Sequence, residues 1–265
     1  MGTLLLVHAH PDDETIATGG VMLRAHREGH RVVLVTCTRG EEGQIFTFDE
    51  AATRPRLGEV REAELRRACD ILGVDRLEFL GYRDSGMAGT PSNEDPRCFH
   101  AAPLEEAARR LAAIIEEEHP EVVVSYTPDG TYGHPDHIKA SMVTGAAVEL
   151  LREAGDGSAR LYWHAVPASS VAELRRHVGQ DDEALTQMAR IGGWPDAEIS
   201  LEVDVRDLAG EKRKALEEHV TQMDPNGPFS TMQGQLMESA LGTEHFVVVG
   251  DTEPPHRQAR SLLGG

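Results

Sequence analysis

Short apolar runs alternate with segments of helical length along the first half of the chain, and this alternation restricts the fold more than any other sequence feature. Continuous apolar runs of strand length occupy residues 3–9, 31–38, 77–80 and 121–126. A segment long enough for a crossover helix follows each of them. Buried strands joined in this way are typical of a parallel sheet with helices on both faces. The sequence therefore predicts an α/β fold with an open, mostly parallel, Rossmann-like sheet.

The predicted helices fill the gaps between these runs, and the pattern becomes more irregular beyond residue 155. Helices are expected at 14–28, 58–72 and 103–118, from 135 onward, and at 170–177 and 208–223. Later strands are expected at 160–166, near 199–205 and at 245–249. Because the chain has no low-complexity block and no convincing linker, one domain over residues 1–265 is the simplest organisation. Residues 1–155 would form the sheet core, and 156–265 would shape the mouth of any site on it.

The charge balance excludes some classes of partner. The chain has 26 Lys and Arg against 45 Asp and Glu, a formal net charge of −19. Such an excess repels nucleic acid and anionic membranes, so a small molecule is the expected partner. The cysteines Cys37, Cys69 and Cys98 are odd in number and far apart, which favours a reducing, cytoplasmic location. The sequence gives no indication of the oligomeric state.

Histidine and carboxylate side chains are concentrated directly after two of the predicted strands. The first strand is followed by His10-Pro-Asp12-Asp13, and the fourth by His134-Pro-Asp136-His137. In an open α/β sheet the carboxyl ends of parallel strands meet at one edge, where ligands bind. Both clusters should therefore lie close together at that edge.

Imidazole and carboxylate groups at this density indicate a metal centre. Zinc takes about four ligands and leaves one position open for water when the site is catalytic. His10, Asp13 and His137 are the candidate ligands, and Fe²⁺ would suit the same groups. Asp12 is placed to accept a proton from an activated water, and His134 to donate one or to stabilise an oxyanion.

The histidines of this region also allow other interpretations. His8-x-His10 at the end of a first strand also matches the ligand pair of barrel-type amidohydrolases, but the chain has at most five clear strand and helix units where a barrel needs eight. His8 is instead expected to pack beneath the site through hydrogen bonds. Histidines without a clustered neighbour, such as His164 and His219, receive no role.

The two motifs, in this order and each after an apolar strand, resemble those of the LmbE-like, or PIG-L-type, zinc-dependent N-deacetylases. The similarity covers most of the chain and is weakest between residues 155 and 205. It implies one zinc ion per subunit, bound by His10, Asp13 and His137, with Asp12 as the general base.

The resemblance also implies roles for residues around the metal ligands. His134 and Tyr132 would assist at the oxyanion and the leaving amine, and Asp136 would orient a histidine. Arg61 matches a substrate-binding arginine, and Asp84 matches a position that lines the sugar pocket. The implied reaction is hydrolysis of the acetamide of a GlcNAc conjugate.

Within the family, the chain is most similar to the mycothiol-pathway branch, which hydrolyses N-acetylglucosaminyl-inositol. Gln44 stands where that branch has an acid, and Ala17 stands where the mycothiol-conjugate amidases have a lysine, which argues against the amidases. A GlcNAc-malate conjugate of bacillithiol synthesis, a chitooligosaccharide and a non-catalytic sugar-binding module are the alternatives. An acidic mouth suits the neutral inositol compound better than the malate conjugate.

Overall fold

A computed structural model of the chain describes residues 1–177, 193–227, 230, 241–250 and 258–263. These residues contain one seven-stranded sheet with the strand order β3-β2-β1-β4-β5-β7-β6. The strands are β1 Thr3–His8, β2 Arg31–Thr38, β3 Arg76–Tyr82, β4 Val122–Tyr126, β5 Arg160–Ala165, β6 Leu201–Asp204 and β7 Thr243–Val248.

Most of the predicted helices form, and short turns of helix lie between them. The α-helices are α1 Asp13–Arg27, α2 Glu50–Thr53, α3 Leu57–Leu72, α4 Leu104–Glu118, α5 Gly130–Gly133, α6 Pro135–Glu153, α7 Ala168–His177 and α8 Ala209–Glu217. Short 3₁₀ turns lie at Arg54–Arg56, Pro91–Glu94, Asp196–Glu198 and Arg206–Leu208. Among the described residues, no helix is both long and apolar enough to cross a membrane.

The sheet is parallel except at β7, so the prediction of an open, mostly parallel α/β sheet is confirmed. β1 pairs in parallel with β2 on one side and with β4 on the other. β7 runs antiparallel to both β5 and β6. Because the chain winds from β1 toward β2 and β3, and later from β4 toward β5, the strand order reverses between β1 and β4. A crevice opens at the carboxyl ends of the strands where such a reversal occurs.

Two apolar layers cover the sheet, one on each face. Leu4 and Leu6 face a core that also contains Leu65 and Leu72 of α3. Leu5 and Val7 point the other way, into a core formed with α4 and α6. Side chains alternate between the faces of a strand, so a strand buried on both faces carries a continuous apolar run, as β1 does at residues 4–7.

The C-terminal part differs from the prediction at one helix. A helix was expected over 208–223, but α8 ends at Glu217. The residues that follow bond to α3 instead: Glu64 accepts the backbone N–H of Thr221 at 2.8 Å and the Thr221 hydroxyl at 2.6 Å. Segment 218–222 is thereby fixed against α3.

A buried ion pair connects α1 to this C-terminal part. Glu244 of β7 accepts the Nζ of Lys212 at 2.6 Å and the backbone N–H groups of Gly20 and Val21 at 2.7 and 2.9 Å. Lys212 is 1% exposed and Glu244 2%. The helix that begins at the end of β1 is thus held by residues more than 190 positions later in the chain.

Candidate metal centre and active site

The segment from the end of β1 to the first residue of α1 carries three of the predicted site residues. His10 and Asp13 are linked within it, since the backbone N–H of His10 donates to Asp13 Oδ2 at 2.9 Å. Asp12, between them, has a φ of 105°. Only glycine adopts positive φ at little cost, so an aspartate here stores backbone strain.

The loop between β4 and α6 supplies the second cluster. His134 caps the N-terminus of α6, because its Nδ1 accepts the backbone N–H of Asp136 at 3.1 Å. Asp136 and His137 lie in the first turn of this helix and are 0% and 2% exposed. Pro135 occupies the first helical position, where its missing N–H costs nothing.

The structure brings the three predicted metal ligands together. Asp13 lies between the two histidines: Oδ2 is 3.4 Å from His10 Nδ1, and Oδ1 is 3.4 Å from His137 Nε2. The ring nitrogens of His10, His134 and His137 also come within 4.8 Å of one another. His137 Nδ1 is buried and has no hydrogen-bond partner among the described residues. Imidazole nitrogens and a carboxylate oxygen that converge in this way fit a zinc-type ion.

The carboxylates beneath His10 fix which of its ring nitrogens faces the site. His10 Nε2 lies 3.2 Å from Asp136 Oδ2 and 3.5 Å from Asp84 Oδ1. Asp136 is in turn bonded by the backbone N–H of Ser85 at 2.9 Å and by the Ser85 hydroxyl. With Nε2 donating to carboxylates, Nδ1 presents its lone pair toward Asp13, as a metal-binding histidine requires.

Sequence reasoning missed Tyr126, the last residue of β4. Its hydroxyl donates to Asp13 Oδ2 at 2.8 Å and accepts the backbone N–H of Ala9 at 2.9 Å. Its ring stacks on His137, with centroids 4.2 Å apart and planes 26° apart. In the sequence, Tyr126 is the end of an apolar run, so its contact with two ligands could not be read from the pattern.

His8 lies under the site, as expected. Its Nδ1 is 3.2 Å from the Tyr126 hydroxyl, and its Nε2 is 2.8 Å from the Thr18 hydroxyl. Burial lowers the pKa of His8 to about 4, against the attraction of Asp13 and Glu14.

Asp12 combines a partly exposed carboxylate with a buried neighbour of opposite charge. Its side chain is 23% exposed, and Arg61 Nη2 lies 3.2 Å from Oδ2. Burial raises the pKa of Asp12 to about 6, although the Arg61 guanidinium acts in the opposite direction.

Arg61 and Asp84 are each 3% exposed, and most of their polar atoms bond to the protein. Arg61 donates to the carbonyls of Gly40 and Pro11, at 2.7 and 2.5 Å, while its Nε has no partner among the described residues. Asp84 accepts the backbone N–H of Glu42 at 3.1 Å and that of Gly86 at 2.8 Å. Arg61 and Asp84 therefore bond mainly to the backbone of the loops around the site.

Tyr132 is the most open of the predicted residues, with 38% of its surface exposed. It follows Thr131, whose φ of 69° turns the loop sharply. The Tyr132 hydroxyl lies 3.5 Å from His137 Nε2, so it stands beside the candidate ligands on the solvent side.

His219, to which the sequence assigned no role, reaches the site through Glu14. Its Nε2 lies 2.8 Å from Glu14 Oε1, and both residues are 0% exposed. Glu14 Oε2 accepts the backbone N–H of Asp12 at 2.8 Å. No spacing rule connects positions 14 and 219, so only the fold reveals this contact.

The chain is similar to a known family over more than half of its length. A profile of the PIG-L family, described as GlcNAc-PI de-N-acetylase, matches residues 5–148. This region contains most of β1, all of β2 to β4 and both clusters of candidate ligands.

Two named relatives match along nearly the whole chain. A protein of Thermomonospora curvata is 42% identical over 272 residues, which cover 95% of this chain and 92% of the relative. A protein of Rhodococcus jostii is 39% identical over 285 residues, which cover 99% and 97%. Both are named 1D-myo-inositol 2-acetamido-2-deoxy-alpha-D-glucopyranoside deacetylase.

Solved structures share the fold at low sequence identity. N,N'-diacetylchitobiose deacetylase from Pyrococcus horikoshii matches with a TM-score of 0.65 at 20% identity, over 93% of this chain and 83% of that one. A 4-carboxy-2-hydroxymuconate hydratase from Pseudomonas putida matches with a TM-score of 0.59 at 19% identity, over 96% and 98%. Because these two differ in reaction, the fold does not by itself decide the chemistry.

Proposed function

The chain belongs to the PIG-L family, and from this membership we propose that it is a zinc-dependent N-deacetylase of N-acetylglucosaminyl-inositol, the amide substrate of mycothiol biosynthesis. The products are acetate and the free amine of glucosaminyl-inositol. Relatives named for this activity are 39% to 42% identical over nearly the whole chain, which supports the substrate assignment.

His10, Asp13 and His137 would hold the metal ion. Zn²⁺ suits this set of two imidazoles and one carboxylate, and when bound it would polarise the acetyl carbonyl and make a water easier to deprotonate. The partners that orient the ligands are all protein groups: Asp136 for His10, and Tyr126 for Asp13.

Asp12 is the proposed general base. It takes a proton from the attacking water as the water oxygen bonds to the acetyl carbon. A pKa near 6 leaves its carboxylate mostly ionised at neutral pH and still basic enough to hold the proton. The proton then passes to the amide nitrogen as the carbon–nitrogen bond breaks, so the amine leaves neutral.

His134 and Tyr132 are the proposed donors to the oxyanion. Because His134 Nδ1 already accepts the N–H of Asp136, the proton of its neutral ring is on Nε2, which becomes a donor and not a metal ligand. The Tyr132 hydroxyl, beside His137 and open to solvent, is the second donor. Donors already in place stabilise the charge that develops on the carbonyl oxygen.

Arg61 and Asp84 are the proposed sugar-binding residues. Asp84 is held by the backbone N–H groups of Glu42 and Gly86, and Arg61 Nη2 lies beside the Asp12 carboxylate. The carboxylates of Asp12, Asp13 and Asp84 give the site an acidic character, which favours a neutral inositol over a malate carboxylate.

One observation carries the proposal: Asp13 contacts both His10 and His137, and Asp12 is the adjacent residue. The test is an assay of acetate release from N-acetylglucosaminyl-inositol and from the malate conjugate, with and without a chelator. We expect release from the inositol conjugate that stops on chelation. A preference for the malate conjugate would overturn the substrate, and turnover unaffected by chelation would overturn the metal mechanism.

A further inference from the structure

The peptide group between Pro11 and Asp12 is held at both ends by buried charged side chains. Its carbonyl oxygen accepts Arg61 Nη2 at 2.5 Å, and its N–H donates to Glu14 Oε2 at 2.8 Å. Arg61 comes from α3 and is 3% exposed, while Glu14 comes from α1 and is 0% exposed. Two charged groups on different helices therefore determine the orientation of this one peptide plane.

The orientation of this peptide plane keeps the backbone of Asp12 in a strained conformation. The φ of 105° lies where a side chain clashes with the backbone, at a cost of roughly 1–3 kcal/mol unless the surroundings enforce it. If the N–H of Asp12 were released, φ could return to the negative region. The Cα–Cβ bond would then swing, and the carboxylate would move away from Asp13.

Glu14 is held in turn by the C-terminal part of the chain. Its Oε1 lies 2.8 Å from His219 Nε2 and accepts the Thr15 hydroxyl at 2.5 Å. His219 belongs to segment 218–222, which Glu64 fixes through Thr221. A buried carboxylate with this many partners has little freedom to turn away from the Asp12 N–H.

From these contacts we propose that Glu14 and His219 are positioning residues, which hold the Pro11–Asp12 peptide in the strained conformation that aims the Asp12 carboxylate at the attacking water. This inference rests on the proposed role of Asp12 as the general base. It makes Glu14 and His219 necessary for the rate of the reaction, although neither is a proposed metal ligand or a proposed substrate-binding residue.

The first test measures steady-state kinetics and metal affinity of Glu14→Gln, which keeps the shape of the side chain and removes its charge. We expect kcat to fall by about 10- to 100-fold, because a misplaced catalytic group costs that much. KM and the dissociation constant of Zn²⁺ should stay within about threefold of wild type. A wild-type kcat, or a loss confined to KM or to zinc affinity, would overturn the proposal.

The second test asks whether the two residues act as one unit. His219→Gln should lower kcat in the same way, and the double variant should lose little more than the worse single variant, because both act through the same peptide. Losses that multiply would show independent roles and contradict the proposal.

Glu244→Gln is the matched control. Glu244 is also a buried glutamate with a cationic partner, and it also accepts backbone N–H groups of α1, but at Gly20 and Val21 and not at Asp12. This variant should lose thermal stability and keep the wild-type kcat. If Asp12→Ala kept full activity, Asp12 would not be the general base. If Asp12→Ala lost activity and Glu14→Gln kept it, Asp12 would remain the base, but Glu14 would not be a positioning residue.

Discussion

The Tyr126 hydroxyl donates a hydrogen bond of 2.8 Å to Asp13, and the ring of the same tyrosine stacks on His137. One side chain from the end of β4 thus orients two candidate ligands that come from the first turns of α1 and α6. Residues in this position usually influence metal affinity more than they influence folding.

Replacement of Tyr126 by Phe should therefore weaken zinc binding by about 10- to 100-fold, since the stacking remains and the bond to Asp13 is lost. Competition with a chromophoric chelator measures the affinity. Tyr162→Phe is the control, because Tyr162 is a buried tyrosine of the neighbouring strand β5. Equal affinity in Tyr126→Phe and wild type would contradict the assigned role.

Removal of the metal should abolish acetate release, and added Zn²⁺ should restore it. An ion that binds only the folded protein adds about 4 kcal/mol to its stability when its concentration is 1,000 times the dissociation constant. Zn²⁺ should therefore raise the melting temperature of the wild type. Asp13→Ala should show a much smaller rise, and an undiminished one would exclude Asp13 as a ligand.

Asp12→Ala should lower kcat by about 10²- to 10⁴-fold, the range over which a positioned base contributes. Its zinc content, measured by atomic emission, should match that of the wild type because Asp12 is not a proposed ligand. The control is Asp70→Ala, at an exposed position of α3. Full activity in Asp12→Ala would remove the assignment of the base.

Lys212→Met should lower the free energy of unfolding by about 3–5 kcal/mol, because it leaves the buried Glu244 carboxylate without its cation. Urea denaturation measures the change. The exposed pair of Arg213 and Glu217, at 2.9 Å, provides the comparison. Arg213→Ala should cost less than about 1 kcal/mol, as exposed pairs do. If both variants lost a similar free energy of unfolding, burial would not be the reason that the ion pair of Lys212 and Glu244 matters for stability.

Replacement of two helical glycines by alanine should change the stability of the protein in opposite directions. A Cβ on Gly20 of α1 would lie 2.5 Å from Val205 Cγ2 and 2.6 Å from its Cβ, so Gly20→Ala should cost about 1–3 kcal/mol through overpacking. A Cβ on Gly145 of α6 would meet nothing within 4 Å. Gly145→Ala should gain up to about 1 kcal/mol of helix propensity. Thermal unfolding of both variants tests the pair, and a stabilised Gly20→Ala would show that α1 can move away from Val205.

The central strands were predictable because β1, β2 and β4 each contain a continuous apolar run, which must be buried on both faces of a sheet. β1 and β2 match the predicted runs within one residue. The clusters at the ends of β1 and β4 follow from the same pattern, since parallel strands bring their carboxyl ends to one edge. Local chemistry was enough to place His10 and Asp13 next to His137.

The surroundings of the ligands were not predictable, because they depend on contacts between distant positions. Tyr126 has the sequence context of a core residue, and His219 that of a residue in a continuing helix. Only the folded chain shows that α8 ends at Glu217 so that His219 can meet Glu14. The antiparallel direction of β7 also carries no signature in its apolar pattern.

Because Glu14 contacts His219, the support of Asp12 forms later during synthesis than the set of candidate metal ligands. All three candidate ligands precede α6 or lie in its first turn, so a nascent chain contains them long before residue 219 leaves the ribosome. Domains acquire structure as synthesis proceeds from the N-terminus, and contacts between distant positions form late. The polypeptide therefore has its metal-binding groups early, and the support of Asp12 is completed only after residue 219 has been made.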